Sequence, residues 1–316
     1  MDFNKFDDRF RMIHEKINVT LNGEPKRLYD ASRYLIGVGG KRIRPLLCLL
    51  ACESVGGKIE DALETAVAIE LIHTFTLIHD DIMDRDELRR GVPSVHKTYG
   101  ESTAILAGDL LFSKAFELCD PKVVKILAEA SAEICEGQEM DMSFENRTYV
   151  TEREYLEMIR KKTAALIRAA TKCGALLGGG TREGIDKLAE YGLNIGMAFQ
   201  IRDDILGVLA DEEKLGKPVG SDIVEGKKSL IAIKAIEKLE GGERERLLEI
   251  LNKRENTRDE IDLAVRLFEN SSAIRYCRRK AIQFVEMAKK AIKELPDSDA
   301  KEDLMEIADF VVERGV

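Results

Sequence analysis

The chain has 316 residues, 44% of them hydrophobic, with 49 basic side chains against 58 acidic ones and a net charge of -9. That apolar content suffices for a sizeable core and excludes general disorder. An acidic surface excludes non-specific nucleic-acid binding, so any anion site has to be a local basic cluster.

With no Trp, six Pro and much Ala, Leu, Ile, Glu, Lys and Arg, the chain is expected to be all-helical. The N-terminus, MDFNKFDDRF, is charged and lacks an apolar centre, so no signal peptide is expected. Phe6, Phe10, Ile13 and Ile17 lie at helical spacing and predict an amphipathic helix from Phe3 to Val19. Pro25 opens a second helix, which the run Gly37-Val38-Gly39-Gly40 stops. Pro45 opens a buried helix through Ser54; its apolar stretch, Pro45 to Cys52, is too short to span a bilayer. Ile59 to Met83 is apolar on most faces and should be central. Arg85 to Gly100 reads as a charged loop. Helices are then expected over Thr103 to Leu118, Lys122 to Met142, Glu152 to Leu177 and Arg182 to Leu209. After a charged loop, Ala210 to Lys228, the pattern continues helically to Arg314. No alternating strand segment and no low-complexity linker is found, so one all-α domain over residues 1–316 is expected. The six Cys show no zinc spacing and read as reduced core residues of a cytoplasmic protein.

Two apolar helices end in carboxylates. In Asp80-Asp81-Ile82-Met83-Asp84, Asp80 and Asp84 are i, i+4 neighbours, with about 5–6 Å between Cβ atoms. Like charges that close repel, and a divalent cation relieves them. Magnesium takes oxygen ligands, keeps waters, and uses one or two carboxylates plus substrate phosphates. The second cluster, Asp203-Asp204, follows Phe199-Gln200, with Gln200 one turn earlier and able to steady a carboxylate. One such cluster alone reads equally as a helix end facing water; two point to a metal site.

Cations accompany both clusters. Gly39-Gly40-Lys41-Arg42-Ile43-Arg44-Pro45 sets three of them between a Gly turn and a helix start, where free amides favour phosphate. Arg89-Arg90-Gly91 follows the first cluster, Lys161-Lys162-Thr163 interrupts a later helix, and Lys217 and Gly226-Lys227-Lys228 follow the second cluster. Metal plus cations is a way to hold a diphosphate leaving group. His73, seven residues before Asp80 on the same helix face, is either a core histidine or a phosphate donor.

These residues resemble the trans-isoprenyl diphosphate synthases, among them farnesyl and geranylgeranyl diphosphate synthases, from about residue 25 to the C-terminus. Asp80 to Asp84 looks like the first DDxxD motif. Phe199-Gln200 with Asp203-Asp204 looks like the second, which here ends in Gly207 instead of Asp and leaves open whether Asp222 contributes. The basic motifs fall in the family's order. The resemblance implies a single-domain bundle of long antiparallel helices around a deep cavity, a cytoplasmic homodimer with no membrane span and no nucleic-acid partner. It implies three magnesium ions, with manganese as a substitute, on Asp80, Asp84 and Asp203, supported by Asp81 and Asp204. Arg89, Lys162, Thr163, Gln200, Lys217 and Lys227 would hold an allylic diphosphate (dimethylallyl, geranyl or farnesyl). Lys41, Arg44, His73 and Arg90 would hold isopentenyl diphosphate. Asp80, Asp81, Asp84, Asp203, Asp204, Lys162 and Arg89 would form the catalytic set.

In that family, residues just upstream of the first motif floor the cavity. Phe75, five before Asp80, with Thr76 beside it, looks like archaeal-type geranylgeranyl synthases, so a C20 product is expected, with farnesyl or mixed C15/C20 products as the alternative. A helical wheel alone puts Thr76, not Phe75, on the Asp80 face. A class I terpene cyclase shares DDxxD but needs no second diphosphate site. A helical metal phosphohydrolase is suggested by His79-Asp80, and an inactive partner subunit is the non-enzymatic alternative.

Overall fold

The computed structural model describes residues 2–145, 147–209, 221–253 and 255–313. A 3-10 turn at Phe3–Phe6 leads into α1 (Asp7–Thr20), α2 (Lys26–Val38), α3 (Ile43–Glu53) and α4 (Ile59–Met83). Then come α5 (Val95–Tyr99), α6 (Glu101–Leu118), α7 (Val124–Glu145), α8 (Glu152–Ile159), a π-helical turn at Arg160–Ala164, α9 (Ala165–Leu177) and α10 (Arg182–Leu209). The remainder is α11 (Ser221–Val224), α12 (Leu230–Lys238), α13 (Gly241–Leu251), α14 (Arg258–Asn270), α15 (Ala273–Ile292) and α16 (Asp299–Glu313). The chain divides into two units. The first is Met1–Ser131, Leu166–Gly192 and Ala291–Glu306; the second is Ala132–Ala165, Leu193–Lys290 and Ile307–Val316.

In the first unit α4 packs against α3 and α6. Val67, Ile69, Leu71 and Ile72 of α4 are fully buried, as are Leu46, Leu47 and Leu50 of α3 and Ala104, Ala107 and Leu111 of α6. Each such Leu or Ile contributes roughly 1.5–3 kcal/mol by leaving water. By length and composition α4 is apolar enough to cross a membrane, but 61% of its most apolar window is buried inside the protein. It is a core helix, as its apolar girth predicts. The backbone N–H of Lys58 donates to the Asp61 carboxylate at 2.9 Å and closes the first turn of α4. α9 lies directly on α3, since a Cβ added at Gly174 would fall 1.9 Å from the Cys48 carbonyl oxygen.

The segment expected to be a charged loop, Arg85 to Gly100, is structured. Leu88–Arg89 and Val92–Pro93 pair antiparallel, with Arg89 opposite Val92. Arg90 (φ 55°) and Gly91 (φ 78°) occupy the two left-handed positions that a tight two-residue hairpin turn requires.

In the second unit, Tyr155, Ile201, Ile205, Leu230, Ile231, Leu247, Ile250 and Phe268 belong to one core. α8 opens on a reciprocal cap in which Thr151 Oγ1 accepts from the Glu154 N–H and Glu154 accepts from the Thr151 N–H. Just inside it, Glu152 receives Tyr276 Oη at 2.8 Å, Lys234 Nζ at 2.7 Å and Lys280 Nζ at 3.0 Å. Burial raises a carboxyl's pKa, but these three donors outweigh it and hold Glu152 at about 2. All six Cys are unbridged; five are buried and Cys135 is exposed, so it is not the core residue expected.

Candidate active site

The last turn of α4 carries the first acidic cluster in the first unit. Asp80 and Asp84 are partly buried, whereas Asp81 is fully buried. The Asp81 carboxylate accepts from Arg89 Nε at 2.7 Å and also from its Nη2; the same nitrogen reaches Asp86 at 3.3 Å. The turn after α4, closed by the Asp86 N–H on the Asp81 carbonyl, lets Arg89 on the first strand of the β-hairpin reach back to that helix. Asp81 therefore anchors Arg89, while Asp80 and Asp84 stand one turn apart on α4.

The basic residues of the same unit separate into anchors and site candidates. Arg42, with a left-handed backbone (φ 46°), donates to buried Glu70 at 2.6 Å and to the Ile36 carbonyl at 2.5 Å. It ties the glycine turn to α4, and such backbone strain concentrates at functional sites. Arg44 Nη1 lies 3.2 Å from His73 Nε2. Arginine only donates, so this ring nitrogen accepts and the His73 proton sits on Nδ1. Burial, followed by the charges of Arg44, Arg90, Arg42 and Arg89, holds the His73 pKa well below its usual range. The ring is neutral and keeps a donor. Arg90 donates to the Gly39 carbonyl, which brings it beside the glycine turn; Lys41 is exposed at the start of that segment.

Upstream on α4, Phe75 packs edge-on to His79 at 4.8 Å between ring centroids and against Phe112 of α6 at 5.1 Å. Phe112 in turn meets Phe116 at 4.9 Å. Thr76 turns its hydroxyl to the His73 carbonyl of its own helix at 2.8 Å.

In the second unit the other acidic cluster sits near the end of α10. Asp204 accepts from Tyr155 Oη at 2.6 Å and from Gln200 Nε2 at 2.8 Å. Burial and then the Asp204 charge push the Tyr155 pKa well above its usual value, so the phenol stays a donor. Gln200 Oε1 accepts from Thr163 Oγ1 at 2.7 Å, and Lys162 Nζ pairs with Asp141 of α7 at 2.6 Å. Lys162 and Thr163 lie in the π-turn and reach partners on two different helices. Lys227 pairs with Glu225 at 2.7 Å, and Lys228 is buried, which lowers its pKa against the pull of Glu145. Lys217 and the side chain of Asp222 lie outside the described residues.

Asp80, Asp84 and Asp203 offer hard oxygen donors of the kind magnesium takes. Among the described residues, no three acidic, His or Cys side chains converge as a ready-made cage. Magnesium completes its shell with water and substrate phosphate.

The family model described as polyprenyl synthetase matches residues 25–268, a span that includes both acidic clusters and every basic motif named above. The chain belongs to the polyprenyl synthetase family. It is 52% identical over 312 residues to the short chain isoprenyl diphosphate synthase of Methanothermobacter thermautotrophicus, covering 96% of this chain and 95% of that one. The crystal structure of geranylgeranyl pyrophosphate synthetase from Pyrococcus horikoshii matches with a TM-score of 0.93 at 44% identity, covering 99% of this chain and 98% of that one. A polyprenyl synthase from Caulobacter crescentus, solved with calcium and isoprenyl diphosphate, matches with a TM-score of 0.94 at 34% identity, covering 99% and 97%. The family resemblance carried by the motifs is borne out, and so is the all-α fold.

Three polyprenyl-synthetase residues of the second unit escape the motif reading. Asp141 and Tyr155 hold Lys162 and Asp204. Gln138 is buried, and neither of its side-chain amide atoms has a partner among the described residues. The available signal was Gly137 in mid-helix followed by Gln138 and Asp141, since an interior helical glycine usually marks a close packing contact.

Proposed function

We propose that this short-chain isoprenyl diphosphate synthase joins isopentenyl diphosphate head to tail onto allylic diphosphates and stops at geranylgeranyl diphosphate (C20). The observation that carries the reading is the end of α4, where Asp80 and Asp84 stand a turn apart, Asp81 binds Arg89, and Phe75 stacks on His79 and Phe112 just upstream. Asp80, Asp84 and Asp203 hold magnesium, three ions per site, whose charge when bound draws electrons from the allylic C–O bond. Lys162, Thr163, Gln200, Arg89, Lys217 and Lys227 hold the allylic diphosphate. Asp81 fixes the direction of Arg89, and Asp204 fixes Gln200. Lys41, Arg44, Arg90 and neutral His73 hold isopentenyl diphosphate, with His73 donating from Nδ1. No protein nucleophile is required; the double bond of isopentenyl diphosphate attacks the allylic carbon, and the proton lost goes to the departing pyrophosphate.

The chain works as a cytoplasmic homodimer. Support for a second copy is the exposure of adjacent Ile105 (41%) and Leu106 (55%) on α6, an apolar face that a partner would cover. The test of the chemistry is chromatography of products made from labelled isopentenyl diphosphate with dimethylallyl, geranyl and farnesyl diphosphate. A C20 product from all three supports the assignment. A cyclic hydrocarbon from geranylgeranyl diphosphate alone would make the chain a cyclase, and an inert purified chain would make it a partner subunit. Phe75→Ala opens the stack with Phe112 and is expected to lengthen the product; an unchanged product profile would remove Phe75 as the length gauge.

A further inference from the structure

We infer that Gly137 and Gly196 are positioning residues for prenyl transfer, gripping the π-turn that carries Lys162 and Thr163. A Cβ added at Gly137 would lie 2.3 Å from the Lys162 backbone nitrogen and 2.7 Å from its Cα. A Cβ added at Gly196 would lie 2.5 Å from Ala164 Cα and 2.7 Å from its Cβ. These approaches are to backbone, where no flexible side chain can swing aside. Gly137 is on α7 and Gly196 on α10, so two helices press the turn Arg160–Ala164 at their glycines.

The spacing links this grip to the chemistry. Gly137 lies four residues before Asp141, which holds Lys162 at 2.6 Å. Gly196 lies four residues before Gln200, which accepts from Thr163 at 2.7 Å. Residues four apart share a helix face. Each helix therefore meets the turn twice, once through a bare backbone and one turn later through a polar side chain. The closeness that glycine permits sets the reach of each polar bond. A π-turn is an insertion into a helix, and its neighbours must hold it in place. A methyl at either glycine drives its helix from the turn by on the order of 1 Å, a misplacement worth roughly a hundredfold in rate when it moves groups that position substrate.

The inference rests on assigning Lys162, Thr163 and Gln200 to the allylic diphosphate. The test compares Gly137→Ala and Gly196→Ala with Gly174→Ala, whose Cβ meets the Cys48 carbonyl oxygen and not the π-turn or its polar partners. Melting temperature and the kinetic constants for each substrate are measured at a temperature where all variants are folded. Gly137→Ala and Gly196→Ala are expected to raise the allylic KM, lower kcat, or both, by roughly tenfold to a hundredfold, with the isopentenyl diphosphate KM unchanged. Gly174→Ala is expected to lower the melting temperature alone. If the two clamp variants lose melting temperature but keep wild-type constants, the glycines are only structural and the inference fails. Should Gly196→Ala not fold, the pair Gly196→Ala with Ala164→Gly removes the opposing methyl. Regained folding with an allylic KM near wild type supports the clamp, and regained folding with an allylic KM still raised by roughly tenfold or more, although the opposing methyl is gone, overturns it. Lys162→Ala separates the two layers of the argument. An unchanged allylic KM there removes the assignment itself, whereas a raised KM there with unaffected glycine variants removes the clamp alone.

Discussion

The acidic clusters of the two units solve the same problem by different means. Each sets two carboxylates side by side near the end of an apolar helix, and in each the second is engaged by protein groups. In the first unit Asp81 is neutralised by a cation, Arg89. In the second unit Asp204 is held by neutral donors, Tyr155 and Gln200. A buried ion pair cancels charge at the cost of desolvating two ions, and it is costly to break because the survivor is left buried and uncompensated. Tyr155 and Gln200 orient the carboxylate by hydrogen bonds without adding a charge of their own. The first cluster thus fixes the direction of Arg89, and the second fixes that of Gln200.

The largest expected effect is on turnover. Asp80→Asn and Asp203→Asn should each lower kcat by roughly 10²–10³-fold, the scale of removing one group that stabilises developing charge, and added magnesium should recover part of it. Equal kcat in either variant and wild type would show that this half does not hold metal. Next comes stability, where the two halves should part. Asp81→Asn leaves the Arg89 guanidinium its longer contact with Asp86 and should cost about 3 kcal/mol, the low end for a broken buried pair. Asp204→Asn keeps an acceptor for one of Tyr155 and Gln200, which bind different oxygens, and should cost about 1–2 kcal/mol. Urea unfolding of both variants decides it; equal losses would mean that the second half is no less dependent on charge than the first. Tyr155→Phe, which removes one donor to Asp204, should cost about 1–2 kcal/mol and weaken the allylic substrate more than isopentenyl diphosphate.

How far the sequence reveals these halves depends on the range of the interactions. α4 and α10 fall at the expected ends, Ile59–Met83 and Arg182–Leu209, because a long apolar run is local information bounded by turn residues and charge. The carboxylates at their ends, and the cations after them, are equally local. The hairpin is hidden because Arg90 stands in a left-handed position where Asn is the usual signal, and its two-residue strands are too short to alternate. The Arg89–Asp81 pair spans eight residues, a spacing no helix pattern announces, and exists only because the chain turns back after α4. The π-turn is hidden because the apolar rhythm of Glu152 to Leu177 continues through it. Only the run Lys161-Lys162-Thr163 marks the place. Asp141 and Tyr155 act across to other helices, and a lone Asp on an amphipathic helix reads as solvated until its partner is placed.

The smallest expected effect, and the finest separation of the two units, lies in acid stability. His73 in the first unit has its pKa held below the usual 6.5 by burial and neighbouring arginines. The unfolded chain then binds the proton first, so stability present above 6.5 is lost as pH falls, at no more than about 1.4 kcal/mol per pH unit, until the folded pKa is reached. Glu152 in the second unit also titrates low, at about 2 against a usual 4.5. Its contribution is complete above 4.5 and fades as pH falls from 4.5 through 2. The His73 loss begins near 6.5, at higher pH than the Glu152 loss, which begins near 4.5. His73→Asn should remove the fall that begins near 6.5 and leave the later one, while Glu152→Gln should leave the first and flatten the second. Urea midpoints measured across that pH range check both. A single window lost in both variants would mean that the two units unfold through a shared ionisation, and the contrast between them would then be one of residues and not of stability.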